Sequence, residues 1–233
     1  MARCGLDFIV MDNEHSHYDK VDLKMMILAS EMRGIDTTPL IRIRENCVGN
    51  IKNALDMGAL GIQVPMVDTA ADAKAVIDAA YYPPIGHRGF GSGQHAIGHG
   101  FMDRIEYAKF ANQEVLNIIQ AETVESLKNL DEILEIPEID VIFVGATDLS
   151  CSMGEDIMLR RNHPELVKVF NETVKKIADA GKVAGVAVGS EDEIREMCDL
   201  GARYICVGGD LGAIRAGAMK TVEMCKRIIS DYE

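Results

Sequence analysis

No run of apolar residues in this chain approaches the roughly 20 positions that a membrane-crossing helix needs. The opening residues, Met-Ala-Arg-Cys-Gly-Leu-Asp, also lack the apolar stretch of a secretory signal, so a soluble, cytoplasmic protein is expected. Basic residues are scarce: 24 Lys and Arg stand against 37 Asp and Glu, a formal net charge of −13 with no basic patch. That balance argues against nucleic acid and anionic membranes as partners and leaves small molecules or other proteins. The six cysteines form no C-x-x-C pair, which suits reduced thiols better than a disulfide framework.

What is present is enough for one core. With 233 residues and 48% hydrophobic content, a single domain over residues 1–233 is the simplest reading. Short β-branched runs cover Asp7 to Met11, Pro39 to Ile43, Gly61 to Val64, Leu116 to Gln120, Asp140 to Val144, Val183 to Val188 and Tyr204 to Val207. Segments of helical period alternate with them: Tyr18 to Met32, Thr69 to Ala80, Val124 to Leu134, Pro164 to Ala180 and Glu191 to Leu200. Strand, helix, strand predicts a parallel α/β sheet, and continuously apolar runs predict strands covered on both faces. An internal echo agrees: Asp56-Met-Gly-Ala-Leu-Gly-Ile-Gln-Val-Pro65 and Asp199-Leu-Gly-Ala-Arg-Tyr-Ile-Cys-Val-Gly208 share a helix end, a Gly turn and a strand in register.

Composition shifts once. Pro83 to Gly100 is rich in Gly and His and too long for an ordinary connection, which makes it a candidate lid or subunit-contact loop. Its histidines, His87, His95 and His99, match no closed tetrahedral metal site.

Several polar residues fall where an apolar run stops: Asp12-Asn13-Glu14-His15, Arg42, Glu122 and Asp148. In a barrel of parallel strands these positions meet on one face, where such folds build active sites. Glu122 and Asp148 follow successive strands and suit a hard divalent cation such as Mg²⁺ or Mn²⁺, although a helix N-cap or first-turn acid explains each equally well. Arg42 wants an anion: a substrate carboxylate, enolate or phosphate, or a structural partner in Asp12 or Glu14. His15, three residues after Asp12, is a candidate base with that carboxylate as its orienting partner, and His17 competes for the role. No lysine closes any run, and Lys182 begins one, so Schiff-base chemistry is not expected.

Taken together, Asp12-Asn-Glu-His15, Pro-Leu-Ile-Arg42, Ile-Gln-Val-Pro-Met-Val67, Tyr-Pro-Pro-Ile-Gly-His-Arg-Gly89, Gln120-Ala-Glu122-Thr, Phe-Val-Gly-Ala-Thr-Asp148-Leu-Ser and Val-Gly-Gly-Asp210-Leu resemble the HpcH/HpaI aldolase family. These are class II, metal-dependent pyruvate aldolases such as 2-dehydro-3-deoxyglucarate and 4-hydroxy-2-oxoheptanedioate aldolase. The resemblance implies a (β/α)8 TIM barrel of the phosphoenolpyruvate/pyruvate superfamily type and cleavage of a 4-hydroxy-2-oxo acid to pyruvate and an aldehyde. It implies that Glu122 and Asp148 bind Mg²⁺, Mn²⁺ or Co²⁺, and that Arg42 holds the pyruvate oxygens. His15 and Asp12 then match the base dyad, Gln120 lines the pocket, the backbone of Gly145, Ala146 and Thr147 receives the pyruvate carboxylate, and Glu14 acts on metal-bound water. It further implies a homo-oligomer, typically a hexamer (a trimer of dimers or a dimer of trimers), with the helix from Leu211 to Ile229 packing on a neighbour.

The departures carry expectations of their own. Ala121 and the Gly145-Ala146-Thr147-Asp148 stretch differ conservatively from the family pattern, whereas Gly91 to Gly100 does not match, and loops near the site help set the aldehyde. The run at Asp7 corresponds to the family's second strand. Seven strands are therefore counted where eight are needed, which predicts a gap between the first and last runs, closed by chain upstream of Met1 or by another chain. An acyl-CoA lyase or citrate-synthase-like reaction on the same site, and a non-catalytic subunit, are the alternatives.

Overall fold

Caps in the sequence decide where several of the helices begin. The computed structural model describes residues 1–31 and 36–232. The chain runs β1 (Phe8–Asp12), α1 (Lys20–Ser30), β2 (Thr38–Arg42), α2 (Val48–Asp56), β3 (Gly61–Val64), α3 (Ala70–Ala80) and α4 (Arg104–Glu114). It continues through β4 (Leu116–Ala121), α5 (Val124–Lys128), α6 (Leu130–Leu134), β5 (Val141–Val144), α7 (Ala146–Ser152), α8 (Pro164–Asp179), β6 (Val183–Val188), α9 (Glu191–Asp199), β7 (Tyr204–Val207) and α10 (Asp210–Ser230). Asp19, Thr69, Thr123 and Ser190 each accept from the backbone of the first turn that follows them, and each is answered by a side chain three residues on. Pro164 opens α8 at a position whose amide needs no partner.

All seven expected strands form, each within a residue of its expected bounds, and pair in parallel in the order β1 to β7. Among the described residues no ladder joins β7 back to β1, so the predicted gap is present. The rings of Phe8 and Tyr204 stack across it with centroids 4.4 Å apart. The echo also appears as expected, with Gly58 (φ +105°) and Gly201 (φ +96°) in left-handed turns before β3 and β7.

Side-chain parity divides the core in two. Ile41, Ile62, Ile119, Ile142 and Val186 point outward into the main core beneath the helices. Leu40, Ile118, Val141, Phe143 and Tyr204 point inward and fill the barrel. The inward parity, continued to the strand ends, carries Asp12, Arg42, Gln63, Gln120 and Glu122.

Three expectations change. The segment Val124 to Leu134 is two short helices, because Asn129 leaves helical geometry and donates its amide to Asp68 O at 2.9 Å. The helix expected from Tyr18 to Met32 spans Lys20–Ser30, with Asp19 as its cap; Met32 lies outside the described residues. The Pro83–Gly100 loop is not a lid over its own chain's strand ends. It packs at the opposite end of the barrel, where the buried Arg88 meets Asp56 at 3.0 Å and His95 meets Glu31 at 2.8 Å, both acids lying at helix C-termini.

α10 buries none of its residues, leaving Leu211, Ile214, Met219, Val222 and Ile229 exposed. No helix among the described residues is long and apolar enough to cross a membrane, and all six cysteines are free.

Candidate active site

Register brings the polar strand ends together. Asp12 pairs with Arg42 across β1 and β2, and Arg42 with Gln63 across β2 and β3, so three inward-facing polar side chains stand level. The guanidinium forks onto Asp12, with Nε donating to Oδ1 at 2.9 Å and Nη2 to Oδ2 at 2.7 Å. Burial acts to raise the Asp12 carboxyl, but the hydrogen bond and charge of Arg42 outweigh it and hold the group below its ordinary value. Arg42 Nε also lies 3.3 Å from Glu14 Oε2.

Asp12 thus serves Arg42, not the ring of His15. Only the backbone amide of His15 reaches Asp12, at 3.3 Å. The imidazole stands at the rim, 64% exposed, with its Nε2 3.8 Å from Glu14 Oε2. Of the two arginine partners left open by the sequence, both are used, and the Asp12–His15 side-chain pair is absent.

Glu122 follows β4 directly and is 2% exposed. It is neither cap nor first-turn acid, since Thr123 caps α5. Its Oε1 accepts from the Met66 amide at 2.8 Å and its Oε2 from Gln120 Nε2 at 2.8 Å. Met66 presents that amide from a left-handed conformation, φ +53°, uncommon for a residue with a side chain. Burial pushes the Glu122 carboxyl up, the two donors oppose it, and the charge of Asp148 pushes it further. Asp148 sits exposed in the first turn of α7, where its charge also suits the helix N-terminus.

Gly145 caps α7 for a steric reason, because a Cβ there would lie 2.6 Å from Glu122 Oε2. No side chain caps this helix, so the amides of its first turn keep free donors. Arg42, Glu122, Gly145, Ala146, Thr147 and Asp148 all line one cavity of about 220 Å³. A larger hollow of about 330 Å³ lies at the other end of the barrel, against Thr38, Leu60 and Val115 where β2, β3 and β4 begin. The smaller cavity is the better candidate, because the strand-end charges converge on it.

Three carboxylates, Asp12, Glu14 and Glu122, act on the guanidinium of Arg42, and Asp148 adds its charge at Glu122. Burial raises the Glu14 carboxyl, Arg42 opposes this, and the charges of Glu122 and Asp12 add to the rise. Its buried Oε2 has no hydrogen-bond partner despite the nearby arginine. Such an excess of negative charge with an orphaned oxygen fits a cation. Among the described residues no three His, Cys, Asp or Glu side chains form a closed cage, so an ion here would keep several waters, as hard divalent cations do.

The sequence profile of the HpcH/HpaI aldolase/citrate lyase family matches residues 1–216. The chain belongs to that family. A hydroxypyruvate/pyruvate aldolase of Roseobacter denitrificans is 34% identical over 216 residues, spanning 92% of this chain and 82% of that protein. A 2-keto-3-deoxy-L-rhamnonate aldolase of Klebsiella pneumoniae is 37% identical over 212 residues, spanning 90% and 76%. The crystal structure of an HpcH/HpaI aldolase/citrate lyase family protein from Burkholderia cenocepacia superposes with a TM-score of 0.90 at 25% identity, covering 97% of this chain and 88% of that one.

Beyond the positions singled out from sequence, this HpcH/HpaI member adds Gln63, Met66 and Tyr204 to the site. Gln63 gave a signal, as a polar residue inside an apolar run. The backbone role of Met66 and the reach of Tyr204 gave none.

Proposed function

We propose that this chain is a class II, metal-dependent aldolase, a carbon–carbon lyase that cleaves a 4-hydroxy-2-oxo acid to pyruvate and an aldehyde. The carrying observation is the buried Glu122 beside Asp148 in one cavity with Arg42, whose guanidinium is already shared by Asp12 and Glu14. Glu122 and Asp148 would hold Mg²⁺, Mn²⁺ or Co²⁺, with Glu14 acting through bound water, and the ion would supply Lewis-acid stabilisation of the oxyanion. The names of the aldolase relatives support the same reaction class.

The chain's own groups account for the remaining chemistry. Arg42 commits Nε and Nη2 to Asp12, which locks the plane of the guanidinium and leaves other N–H groups for the 2-oxo oxygen. The free amides of Ala146 and Thr147, after Gly145, receive the carboxylate, and Gln120 lines the wall. His15, exposed at the rim, takes the proton of the C4 hydroxyl. The C4 oxygen then forms the aldehyde carbonyl, the C3–C4 bond breaks, and its electron pair passes to the pyruvate enolate, which is protonated at C3. Asp12 supports this through Arg42 and the His15 backbone.

A second copy of the chain is proposed to cover the apolar face of α10, giving a homo-oligomer, in the family manner a hexamer. A cytoplasmic location suits the six free cysteines. An acyl-CoA substrate gains no support from the cavity, whose other arginine, Arg161, is paired with Glu193 at 3.3 Å.

The test is pyruvate release from a panel of 4-hydroxy-2-oxo acids by metal-stripped protein, before and after adding Mg²⁺, Mn²⁺ or Co²⁺. Cleavage restored by metal is expected. A folded sample inert with every metal overturns the reading and favours acyl transfer or a non-catalytic subunit.

A further inference from the structure

We propose that Tyr204 is a positioning residue for Glu122, acting from the far wall of the barrel through the side-chain amides of Gln63 and Gln120. The proposal rests on the reading of Glu122 as a metal ligand. Tyr204 Oη donates to Gln63 Oε1 at 3.2 Å, Gln63 Nε2 donates to Gln120 Oε1, and Gln120 Nε2 donates to Glu122 Oε2 at 2.8 Å. Tyr204, Gln63, Gln120 and Glu122 are each no more than 4% exposed, so no bulk water substitutes for a missing partner.

The carboxylate sets the direction of this chain. An ionised Glu122 only accepts, so Gln120 must present its nitrogen, which turns the Gln120 oxygen to Gln63 and the Gln63 oxygen to Tyr204. The far end supplies the anchor. Among the described residues Tyr204 is the only donor to Gln63 Oε1. Without the hydroxyl, that buried oxygen loses its donor, and Gln63 must turn to satisfy it and so release Gln120. Glu122 then keeps the Met66 amide alone, and its Oε2 is free to swing.

The ring is placed for this task. Tyr204 stands level with Gly185, Phe143 and Gln120 in the sheet register, and Gly185 has no side chain to block it. A Cβ at Gly185 would come within 3.0 Å of the Tyr204 ring. Phe8 stacks on the other side, at an interplanar angle of 11°, so the residue bridging the open seam is also the one at the head of the chain. The seam and the metal carboxylate are thereby linked in one polar line.

The test uses Tyr204→Phe, which keeps the ring and removes only the hydroxyl, with Gln63→Met and the double variant. Metal-free protein is titrated with Mn²⁺ by calorimetry, and exchange of the pyruvate C3 hydrogens with solvent is followed by NMR at saturating Mn²⁺. Tyr204→Phe should bind Mn²⁺ about tenfold more weakly, the scale usual when a group that orients a ligand is lost. Its exchange rate at saturation should fall while the KM for pyruvate stays within about twofold. In the Gln63→Met background, removing the hydroxyl should change nothing further. Wild-type affinity and exchange in Tyr204→Phe, or full additivity in the double variant, overturns the relay while leaving the aldolase reading intact. A wild-type protein that binds no Mn²⁺ overturns both.

Discussion

Replacing Gly145 by alanine isolates a single steric contact. The backbone there has φ −85° and ψ 92°, open to any residue, so conformational strain plays no part. The new Cβ would lie 2.6 Å from Glu122 Oε2 and 2.7 Å from Glu122 Cβ, where ordinary contacts begin near 3.4 Å. Either Glu122 or the turn into α7 must yield by roughly 1 Å. Overpacking of this kind costs about 1–3 kcal/mol. The smaller conformational entropy of the unfolded alanine chain returns about 0.4–1 kcal/mol. A net loss of about 1–2 kcal/mol lowers the thermal midpoint of a chain this size by about 2–8 °C. Displacing the carboxylate should also weaken Mn²⁺ binding by about tenfold or more, since metal ligands tolerate shifts of only about 0.2 Å. Thermal melts of metal-free protein, with calorimetric Mn²⁺ titration, measure both. The control is the same substitution in a Glu122→Gly background, where the carboxylate and the Cβ it collides with are both gone and Gly145→Ala should be neutral or slightly stabilising. An equal cost in both backgrounds, or none in either, would show that the contact with Glu122 is not what demands glycine.

Two further outcomes test the rim of the site. His15→Ala should lower kcat for cleavage by about 10²- to 10⁴-fold with Mn²⁺ affinity unchanged, and full activity would remove His15 as the base. Asp12→Asn tests the pairing that the structure shows. Because Asp12 is held below its unfolded value of 3.8, its contribution is complete above that pH and is lost as pH falls through the lower folded value. The stability gap between wild type and Asp12→Asn in urea melts should therefore be present at pH 6 and close on acidification below pH 3.8; a gap that persists there contradicts the assigned Arg42 pairing.

Much of this was legible locally, for physical reasons that are themselves local. β-branched runs and helical periods predicted all seven strands, since strand formation here follows from apolar content and the caps beside it. The Gly turns before β3 and β7 could be read because a left-handed residue leaves a composition signal. The count of seven strands predicted the open seam, and the ends of apolar runs marked Asp12, Arg42, Glu122 and Asp148 as candidates meeting on one face. What the sequence determined by itself, then, is which side chains stand at the strand ends. Which of them touch was decided by the tertiary structure. Asp12 is three residues from His15 but level with Arg42 in the sheet, and the register of two strands thirty residues apart carries no local signature. The same holds for the Pro83–Gly100 loop, whose seat depends on the distant acids Asp56 and Glu31, and for Gly145, whose missing Cβ answers to Glu122 just after β4. Tyr204 lies 141 positions from Gln63, and only the curling of the sheet brings a hydroxyl on β7 to an amide on β3.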